Sequence, residues 1–376
     1  MSHKKRILII GMASSLGGIE AFLINVYRRI NRELMHFDFL TFFPKCAYED
    51  ELVASGSKVY HVTRRGKNPL KNKMELEAFF KAHKNDYDFI WYHASSSSNI
   101  VPIVIAKKYC SSKTIVHCHG TGFESTALAR PIHLLFDKIN FNKMKRNTDF
   151  CFACSKAAGK YLFKDKCGEV IVIKNGIVTA DYKYNEQIRE KVRTELGFGK
   201  DTVVIGHAGR LCAIKNQLFM LEVFEKYLRT NEDSRLVIAG DGEMKEELLT
   251  KVEALGVEEK VVFLGYRKDL NRLVQAFDVF MLPSFSEGFP VTLIEAQTAG
   301  LSCLVSNGVT EEAGITDLVT FKSLSDSAEE WACTLERVVK EKAFLRKEIN
   351  YSNTVKDDGF DIVDTVEQIE RFFIQN

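Results

Sequence analysis

Apolar strands alternate with amphipathic helices along nearly all of this 376-residue chain. The strand segments, for example Lys5–Met12, Phe89–Ala94 and Thr114–His119, are apolar along their whole length and do not alternate with polar residues. Strands of this kind are expected in a parallel sheet whose two faces are both covered. The repeated order of strand and helix therefore predicts an α/β fold in which helices connect parallel strands.

The alternation is interrupted once, in a polar and charged segment at Thr179–Lys200, and restarts at the strand Thr202–Ala208. We therefore predict two doubly wound Rossmann-like domains in tandem, residues 1–178 and 179–358. An amphipathic stretch at Asp361–Phe373 predicts one more helix at the end of the chain. Ligands of doubly wound sheets bind beyond the carboxyl ends of the strands, so two such domains facing each other are expected to enclose a ligand cleft.

The net charge of +2 hides an uneven distribution. Residues 1–180 hold 28 Lys/Arg and 15 Asp/Glu, whereas the rest of the chain holds 24 and 35. Basic clusters occur at Arg64–Lys67, Lys71–Lys73 and Lys143–Arg146. Any one of these clusters can be an ordinary solvated surface. The difference in net charge between the two halves favours a basic N-terminal domain that meets an anionic membrane or a phosphorylated acceptor. No motif points to nucleic acid.

Targeting and redox signals are weak. No apolar run reaches the ~20 residues of a membrane-spanning helix, and the apolar part of the N-terminus is too short for a signal peptide. Any membrane contact is therefore expected to be peripheral. The nine cysteines show no regular spacing, and the lone C-x-x-C at Cys151 and Cys154 has no second pair. This favours reduced, buried thiols in a cytosolic protein.

The stretch Ser284–Gly300 predicts an anion site. It follows an apolar strand, turns at Glu287–Pro290 and continues as an apolar-periodic helix that Gly300 ends. Pro290 suits the first helical position, and the free N–H groups of Val291 and Thr292 would then face the mouth of the strand. Glu295, one turn inside the helix, leans back towards its start and is placed to accept hydrogen bonds from ligand hydroxyls. The alternative is a strand–turn–helix with a solvated glutamate.

Two signals lie at strand ends in the first half. Gly17 and Gly18 precede the first helix and allow close backbone approach, but the spacing from Gly11 does not fit the dinucleotide fingerprint, which disfavours a nicotinamide enzyme. His117 and His119 share one side of a strand. Two histidines without a carboxylate pattern are weak evidence for a metal. His119, nearer the strand end, is the better candidate for a substrate contact, whereas His117 is expected to be a hydrogen-bonded core histidine.

Two further signals lie in the second half. The segment GRLCAIKN at 209–216 follows the first strand, where phosphate sites form, and offers Arg210 for bidentate binding and Lys215 as a point charge. The Walker pattern is absent, so this is no P-loop. Two surface cations remain the alternative. The segment AGDGE at 239–243, which contains Gly242, predicts a tight turn.

Taken together these segments resemble the retaining glycosyltransferases of family 4, which have the GT-B fold. The resembling segments are GGIE at 17–20, HCHG at 117–120, FACS at 152–155, IKNGI at 173–177, GRLCAIKN at 209–216, AGDGE at 239–243, FLGYRKDL at 263–270 and SFSEGFPVTLIEA at 284–296. The last carries the family's two glutamates with seven residues between them, Glu287 and Glu295. The resemblance is greatest to the bacterial branch that builds capsular polysaccharides and exopolysaccharides.

The resemblance implies an N-terminal acceptor domain and a C-terminal domain for a nucleotide-sugar donor, with a last helix (359–376) that crosses back to the first domain. It implies four residues that act on the donor: Arg210 and Lys215 bind its diphosphate, Glu287 holds its sugar, and His119 contacts the sugar near the reacting centre. Glu295 is implied to bind the ribose. The remaining donor-binding positions are Gly17, Gly18, Gly209, Gly242, Gly288, Phe289, Pro290, Val291 and Thr292.

The resemblance further implies transfer of a hexose or N-acetylhexosamine, with retention and without a metal or other cofactor, from a UDP-sugar to a glycan or lipid-linked oligosaccharide. As the base of the donor nucleotide, uracil is favoured over guanine only by the resemblance to the bacterial polysaccharide branch. Three alternatives stay open: an epimerase of the same fold, a phosphorylase, for which no motif identifies a pyridoxal lysine, and a catalytically silent protein that binds sugar nucleotides.

Overall fold

The computed structural model describes residues 4–14, 17–120, 130–164, 169–342 and 345–376. The chain divides into two compact units of parallel sheet and helix. The N-terminal unit comprises Met1–Gly176 together with Ile362–Asn376, and the C-terminal unit comprises Ile177–Asp361.

A seven-stranded parallel sheet forms the centre of the N-terminal unit, with strand order β3-β2-β1-β4-β5-β6-β7. Its strands are β1 (Lys5–Ile10), β2 (Met35–Thr41), β3 (Val59–His61), β4 (Phe89–Ala94), β5 (Lys113–Cys118), β6 (Phe150–Ala153) and β7 (Val170–Val172). Its helices are α1 (Gly18–Tyr27), α2 (Glu49–Ala54), α3 (Pro69–Ala82), α4 (Val101–Tyr109), α5 (Arg130–Arg146) and α6 (Lys156–Phe163). Helices α3, α4 and α5 pack in succession.

A six-stranded parallel sheet forms the centre of the C-terminal unit, with strand order β10-β9-β8-β11-β12-β13. Its strands are β8 (Val203–Ala208), β9 (Ser234–Ala239), β10 (Val261–Gly265), β11 (Val279–Leu282), β12 (Ser302–Ser306) and β13 (Val319–Lys322). Its helices are α7 (Thr179–Tyr182), α8 (Glu186–Glu195), α9 (Gln217–Leu228), α10 (Lys245–Leu255), α11 (Leu270–Ala276), α12 (Val291–Thr298), α13 (Ala328–Lys342), α14 (Leu345–Glu348) and α15 (Tyr351–Val355). Two doubly wound α/β units confirm the predicted fold class.

The last helix, α16 (Ile362–Gln375), packs on the N-terminal unit. The Phe373 ring lies 4.9 Å from that of Phe89 and 5.6 Å from that of Trp91, and Phe372 lies 4.8 Å from Phe152. Fully burying aromatic side chains of this size stabilises a domain by roughly 2–3 kcal/mol each. The apolar face of the terminal helix is therefore part of the core of the N-terminal unit.

The charged segment Thr179–Lys200 contains helices α7 and α8, although its composition predicted only a polar boundary. Its charges are used in packing. Arg189 and Arg193 both bind Asp278, at 2.5 and 3.2 Å, and Arg193 also donates to the carbonyl of Ala276 at 3.1 Å. The half-buried Arg189 and the buried Arg193, held by this carboxylate and by backbone carbonyls, fix α8 against α11.

Candidate functional site

The carboxyl ends of β8, β9 and β11 form one edge of the C-terminal sheet. Strand β8 lies between β9 and β11, so the chain runs outward on one side of it from β8 to β10 and then crosses to its other side at β11. Such a switch point leaves a crevice for ligands beyond the strand ends. Three segments border it: residues 209–216 after β8, residues 240–244 after β9, and residues 283–290 between β11 and α12.

Lys215 and Glu287 form an ion pair at this edge. The Lys215 Nζ lies 2.7 Å from the Glu287 Oε1, and the two side chains are only 16% and 13% exposed. The Ser284 hydroxyl donates to the same carboxylate oxygen at 2.7 Å, and the Glu287 N–H donates to the Gly308 carbonyl at 3.1 Å. Two residues 72 positions apart are thus held together in a partly desolvated place, where charge acts more strongly than in water.

Arg210 lies at the exposed margin of the same edge. Its guanidinium binds Glu243, with Nη2 and Oε2 3.1 Å apart, and both side chains are exposed. An exposed pair of this kind is worth at most about 1 kcal/mol, so an anionic ligand can replace Glu243 at small cost. The segment at 239–243, predicted as a turn, thereby supplies the carboxylate that accompanies Arg210.

Glycines let the loops after β8 and β9 touch. A Cβ on Gly240, whose φ is +152°, would lie 1.8 Å from the Gly209 carbonyl oxygen. A Cβ on Gly242 would lie 2.3 Å from the Leu211 carbonyl oxygen. Gly209 itself borders the Lys215 side chain, since a Cβ there would lie 3.4 Å from its Cε. These glycines therefore allow the backbone to pass close to the Lys215 ammonium.

The start of α12 faces the same strand ends. The helix begins at Val291, as expected, and Pro290, with φ −76° and ψ 104°, is its N-cap and not its first helical residue. The Thr292 Oγ1 is buried and has no hydrogen-bond partner among the described residues. A buried hydroxyl without a partner beside free helical N–H groups suits an oxygen-rich anion. The Phe289 side chain stacks on Phe360, with the two ring centroids 5.1 Å apart.

Glu295 lies one turn into α12 and accepts a hydrogen bond from the Tyr182 hydroxyl at 2.5 Å. Burial raises the pKa of Glu295 to about 7, and the hydrogen bond from Tyr182 opposes that rise. Near neutral pH this carboxyl group therefore gains or loses a proton easily. Tyr182 was not predicted, because it lies in the segment that the sequence marks only as polar.

His207 and Gln217 also escaped prediction. The His207 Nδ1 lies 2.9 Å from the Met281 carbonyl oxygen, and burial lowers the pKa of His207 to about 4, so the ring is neutral. Gln217 Nε2 lies 3.3 Å from the His207 Nε2 and donates to the Arg210 carbonyl at 2.8 Å. These two side chains support the loop that carries Arg210 and Lys215, and only their positions in β8 and α9 hint at that role.

The N-terminal unit carries the other predicted residues. Gly17 is the N-cap of α1, and Gly18 begins the helix. A Cβ on Gly17 would lie 2.8 Å from the Glu20 carboxylate, whose other oxygen accepts from the Ala13 N–H at 2.8 Å. A Cβ on Gly18 would meet nothing within 4 Å of the described chain. A ligand-binding role of Gly18 stays a prediction.

His119 belongs to a cluster with His93 and His117 at the ends of β4 and β5. The His93 Nδ1 lies 2.7 Å from the His119 Nε2, so one ring donates to the other. Burial lowers the pKa of all three, that of His119 to about 3, and keeps them neutral. Neither ring nitrogen of His117 has a partner among the described residues, so the prediction of a hydrogen-bonded core histidine is wrong in its bonding.

The three histidines are spaced closely enough to bind one metal ion, since their candidate ligand atoms lie within 4.8 Å of one another. The rings of His93 and His119 are stacked with 26° between their planes, whereas the ring of His117 is tilted by 31° against that of His119. In the part of the chain described here, no comparable group of ligands lies beside Arg210 and Lys215.

The C-terminal unit therefore brings together most of the predicted donor-binding positions: Arg210, Lys215, Glu287, Glu295, Gly209, Gly242, Gly288, Phe289, Pro290, Val291 and Thr292. Gly17, Gly18 and His119 belong to the N-terminal unit. Two cations, a helix start and a protonatable carboxyl group at one sheet edge can bind a diphosphate next to a group with vicinal hydroxyls.

Comparison with known proteins agrees with this geometry. Residues 16–181 match the family model described as Glycosyltransferase Family 4, and residues 188–354 match the model described as Glycosyl transferases group 1. Among solved structures, HepE from Anabaena in complex with UDP and glucose superposes with a TM-score of 0.79 at 21% identity, covering 98% of this chain and 99% of that one. WaaG, a glycosyltransferase involved in lipopolysaccharide biosynthesis, gives a TM-score of 0.75 at 16% identity, covering 98% and 99%.

Two curated relatives are similar over most of their length. The putative glycosyltransferase EpsF of Bacillus subtilis is 30% identical over 348 residues, which is 89% of this chain and 88% of that protein. The UDP-Gal:alpha-D-GlcNAc-diphosphoundecaprenol alpha-1,3-galactosyltransferase of Escherichia coli is 27% identical over 317 residues, or 81% and 80%. Since family models match both halves and a 30% identical relative aligns over 89% of the chain, this chain belongs to the family 4 glycosyltransferases of bacterial polysaccharide biosynthesis, which have the GT-B fold.

Proposed function

We propose that this glycosyltransferase transfers a hexose or N-acetylhexosamine, with retention, from a UDP-sugar to a hydroxyl group of a glycan or lipid-linked oligosaccharide. The observation that carries the proposal is the partly desolvated Lys215–Glu287 pair at the switch point of the C-terminal sheet, next to the start of α12. A diphosphate and a hydroxyl-rich sugar need a cation and a carboxylate side by side, and this pair offers both.

Each residue has a distinct role in the proposal. Arg210 leaves Glu243 and, with Lys215 and the first N–H groups of α12, binds the diphosphate. Glu287 then accepts hydrogen bonds from the sugar, and Glu295 accepts from the ribose hydroxyls in place of Tyr182. In the N-terminal unit, Gly18 admits the phosphates and His119, in its neutral form, hydrogen-bonds the sugar.

The proposed reaction needs no protein base. The bond between the anomeric carbon and the β-phosphate oxygen breaks while the acceptor oxygen bonds to that carbon on the same face of the sugar. The acceptor proton passes to the departing phosphate oxygen. The protein's contribution is to stabilise the charge that grows on this phosphate, and a cation placed beforehand at low dielectric does so without reorganisation.

A UDP donor is supported by two similar proteins. HepE was crystallised with UDP and glucose, and the Escherichia coli relative is named for a UDP-Gal donor. A panel of UDP-sugars and GDP-sugars, assayed by released nucleotide with and without acceptor, tests the base and the reaction class together. Transfer from a UDP-sugar supports the proposal. Epimerised sugar nucleotide without release, or binding without release, contradicts it.

Retention is tested separately by NMR of the new linkage. The anomeric configuration of the product is expected to equal that of the donor, and an inverted linkage contradicts the same-face mechanism. The cations of this site are proposed to replace a divalent ion. Activity after removal of metals by EDTA is expected to stay unchanged, whereas loss restored by Mg²⁺ or Mn²⁺ shows that the proposal of metal independence is wrong.

The place of action is proposed to be the cytoplasmic side of the cell membrane, where lipid-linked acceptors are available to a peripheral protein. In the ranges that the structure describes, no helix is both long and apolar enough to span a bilayer. The basic N-terminal half supports a peripheral contact. A spheroplast fractionation that recovers the protein with membranes at low salt and releases it at high salt tests this location.

A further inference from the structure

Three histidines of the N-terminal unit converge at the carboxyl ends of two neighbouring strands. In the pairing of β4 with β5, His93 lies directly opposite His117. His119 follows two positions later, and its ring centroid lies 4.1 Å from that of His117, so both rings are on one face of the sheet. The sequence placed only His117 and His119 together. His93 joins them through strand pairing, which leaves no local pattern.

The cluster is rich in buried nitrogen atoms that lack a hydrogen-bond partner. Both ring nitrogens of His117, the Nε2 of His93 and the Nδ1 of His119 are buried and have no partner among the described residues. The remaining two nitrogens, the Nδ1 of His93 and the Nε2 of His119, lie 2.7 Å apart and share one hydrogen bond. Buried polar atoms without a partner are costly and rare, so this many in one place indicate a ligand.

The chemistry of the group selects the kind of ligand. The candidate ligand atoms, one from each ring, lie within 4.8 Å of one another. Two nitrogens bound to one tetrahedral zinc ion are roughly 3.3 Å apart, so small movements of the rings bring all three to one ion. Burial lowers the pKa of each imidazole and keeps the ring neutral, which is the form that binds metals.

The composition of the group also selects among metals. The ligands that the described part of the chain offers here are imidazoles alone. Imidazole nitrogens suit Zn²⁺, Ni²⁺ and Cu²⁺, whereas Mg²⁺ and Ca²⁺ prefer carboxylate and carbonyl oxygens. The group therefore favours a transition-metal ion over a hard divalent cation.

Aromatic side chains hold the imidazoles in place. The Phe22 ring of α1 has its centroid 5.4 Å from that of His117 and 5.5 Å from that of His119. On the sheet, Trp91 stacks on His117 at 5.8 Å with 5° between the planes, and Phe152 packs edge-on against His117 at 5.8 Å. Because these contacts limit rotation of the rings, the ligands are largely placed before an ion binds.

We propose that His93, His117 and His119 bind one transition-metal ion, Zn²⁺ or an ion of similar ligand preference, with a water molecule in the fourth position. Three protein ligands and one water are an ordinary coordination for zinc. Each imidazole binds through one nitrogen, so His119 keeps its other nitrogen for the sugar contact proposed above. The ion stabilises the N-terminal unit. It lies in a different unit from Arg210 and Lys215 and does not depend on the proposed function.

Zinc titration of the full chain tests the proposal. The protein is freed of metals by dialysis against a chelator and titrated with Zn²⁺ in competition with a colorimetric zinc indicator. We expect one ion per chain, a dissociation constant in the micromolar range or tighter, and no competition from Mg²⁺. Co²⁺ as a spectroscopic probe is expected to give the intense visible absorption of a four-coordinate ion. His93→Gln and His117→Gln are each expected to weaken zinc binding by at least about tenfold and to remove that absorption.

A variant that keeps the packing guards against loss of the fold. His117→Phe retains a ring against Trp91 and removes two buried nitrogens that have no partner among the described residues. It is expected to keep the wild-type unfolding midpoint in the presence of EDTA. Added Zn²⁺ is expected to raise the midpoint of the wild type, because the ion binds the folded state, and to leave that of His117→Phe unchanged.

Two histidines outside the cluster provide the matched control. His61 lies 3.2 Å from Glu49 and His83 lies 2.7 Å from Asp86, so each offers an imidazole beside a carboxylate. The variant His61→Gln/His83→Gln is expected to bind one zinc ion with wild-type affinity. Loss of binding in this variant instead would place the ion outside the cluster and overturn the proposal.

Two further results would overturn the proposal. One is wild-type zinc affinity in both His93→Gln and His117→Phe. The other is the lack of a micromolar site in the wild type, together with an unchanged unfolding midpoint on addition of Zn²⁺, which would leave water as the ligand of these histidines. All of these measurements read metal binding and stability in the absence of donor and acceptor. Failure of the proposed function, seen as lack of nucleotide release, is therefore distinguishable from failure of the metal site.

Discussion

Replacing Lys215 by methionine separates its structural from its catalytic contribution. In the wild type the Glu287 carboxylate is only 13% exposed, and the substitution removes the ammonium beside it while the Ser284 hydroxyl still donates to it at 2.7 Å. Breaking a buried pair on one side costs about 3–5 kcal/mol, and the residual exposure of this pair places the expected loss near 3 kcal/mol. The double variant Lys215→Met/Glu287→Leu removes both charges and is expected to regain most of that stability, because no buried charge is left alone.

Activity is expected to behave differently from stability. A cation that stabilises a departing diphosphate contributes roughly 10²–10³-fold in turnover. The single variant should therefore lose activity by that factor, and the double variant, which also lacks the Glu287 carboxylate proposed to hold the sugar, by at least that factor although it is stable. Urea denaturation followed by fluorescence gives the stabilities, and nucleotide release gives the rates. Lys245→Met, at an exposed lysine that begins α10, is the control and should change neither. Wild-type turnover in the stable double variant would refute the assignment of Lys215.

Four further predictions concern buried groups of the C-terminal unit. Burial raises the pKa of Glu295 from 4.5 to about 7. The affinity of the wild type for a UDP-sugar, measured by calorimetry, should therefore rise between pH 6 and 8 as the carboxyl group loses its proton. The affinity of Glu295→Gln should not change over this range. Between pH 4.5 and 7 the folded protein keeps the Glu295 proton, whereas the unfolded chain has released it. The unfolding free energy of the wild type, measured by urea denaturation, should therefore fall relative to that of Glu295→Gln as the pH rises through this window, by on the order of 3 kcal/mol. A rise of the unfolding free energy with pH would contradict the raised pKa. Tyr182→Phe removes the hydrogen bond that lowers this pKa, so the pH midpoint of donor binding should move upward, and an unchanged midpoint would exclude the contact. The buried Arg346 guanidinium donates to the carbonyls of Ala299 and Phe277 at 2.7 and 2.8 Å. Arg346→Met should therefore lower the unfolding free energy by about 3 kcal/mol. Lys347→Met, at the exposed neighbouring residue, is the control and should lower it by less than about 1 kcal/mol.

The sequence predicted the fold well because the signal is repeated. The central strands of both sheets are buried and mostly apolar, and the thirteen strands of the described chain fall into two runs, which leaves little choice of architecture. Family membership followed from motifs spread over both halves and is confirmed. The helix α8 was missed because its helix-forming residues are nearly all charged, and its stability comes from the binding of Arg189 and Arg193 to Asp278, a partner far along the chain.

Part of the site was predictable because its residues lie at the ends of strands. Arg210, Lys215, Glu287 and Glu295 follow strands or begin a helix, and the ends of parallel strands meet at one edge. The contacts themselves are long-range and leave no local pattern: Glu243 on Arg210, Tyr182 on Glu295, and Gln217 beneath the loop. The roles given to Arg210, Lys215, Glu287 and His119 stay predictions until variants are assayed.

The central claim is that Arg210, Lys215 and the start of α12 bind the diphosphate of the donor. Calorimetric titration of UDP and of uridine into the wild type, Arg210→Met and Lys215→Met tests it most directly, because the two ligands differ only in the diphosphate. We predict that each variant loses at least tenfold in affinity for UDP and keeps its affinity for uridine. Equal losses for both ligands, or none for UDP, would contradict the account.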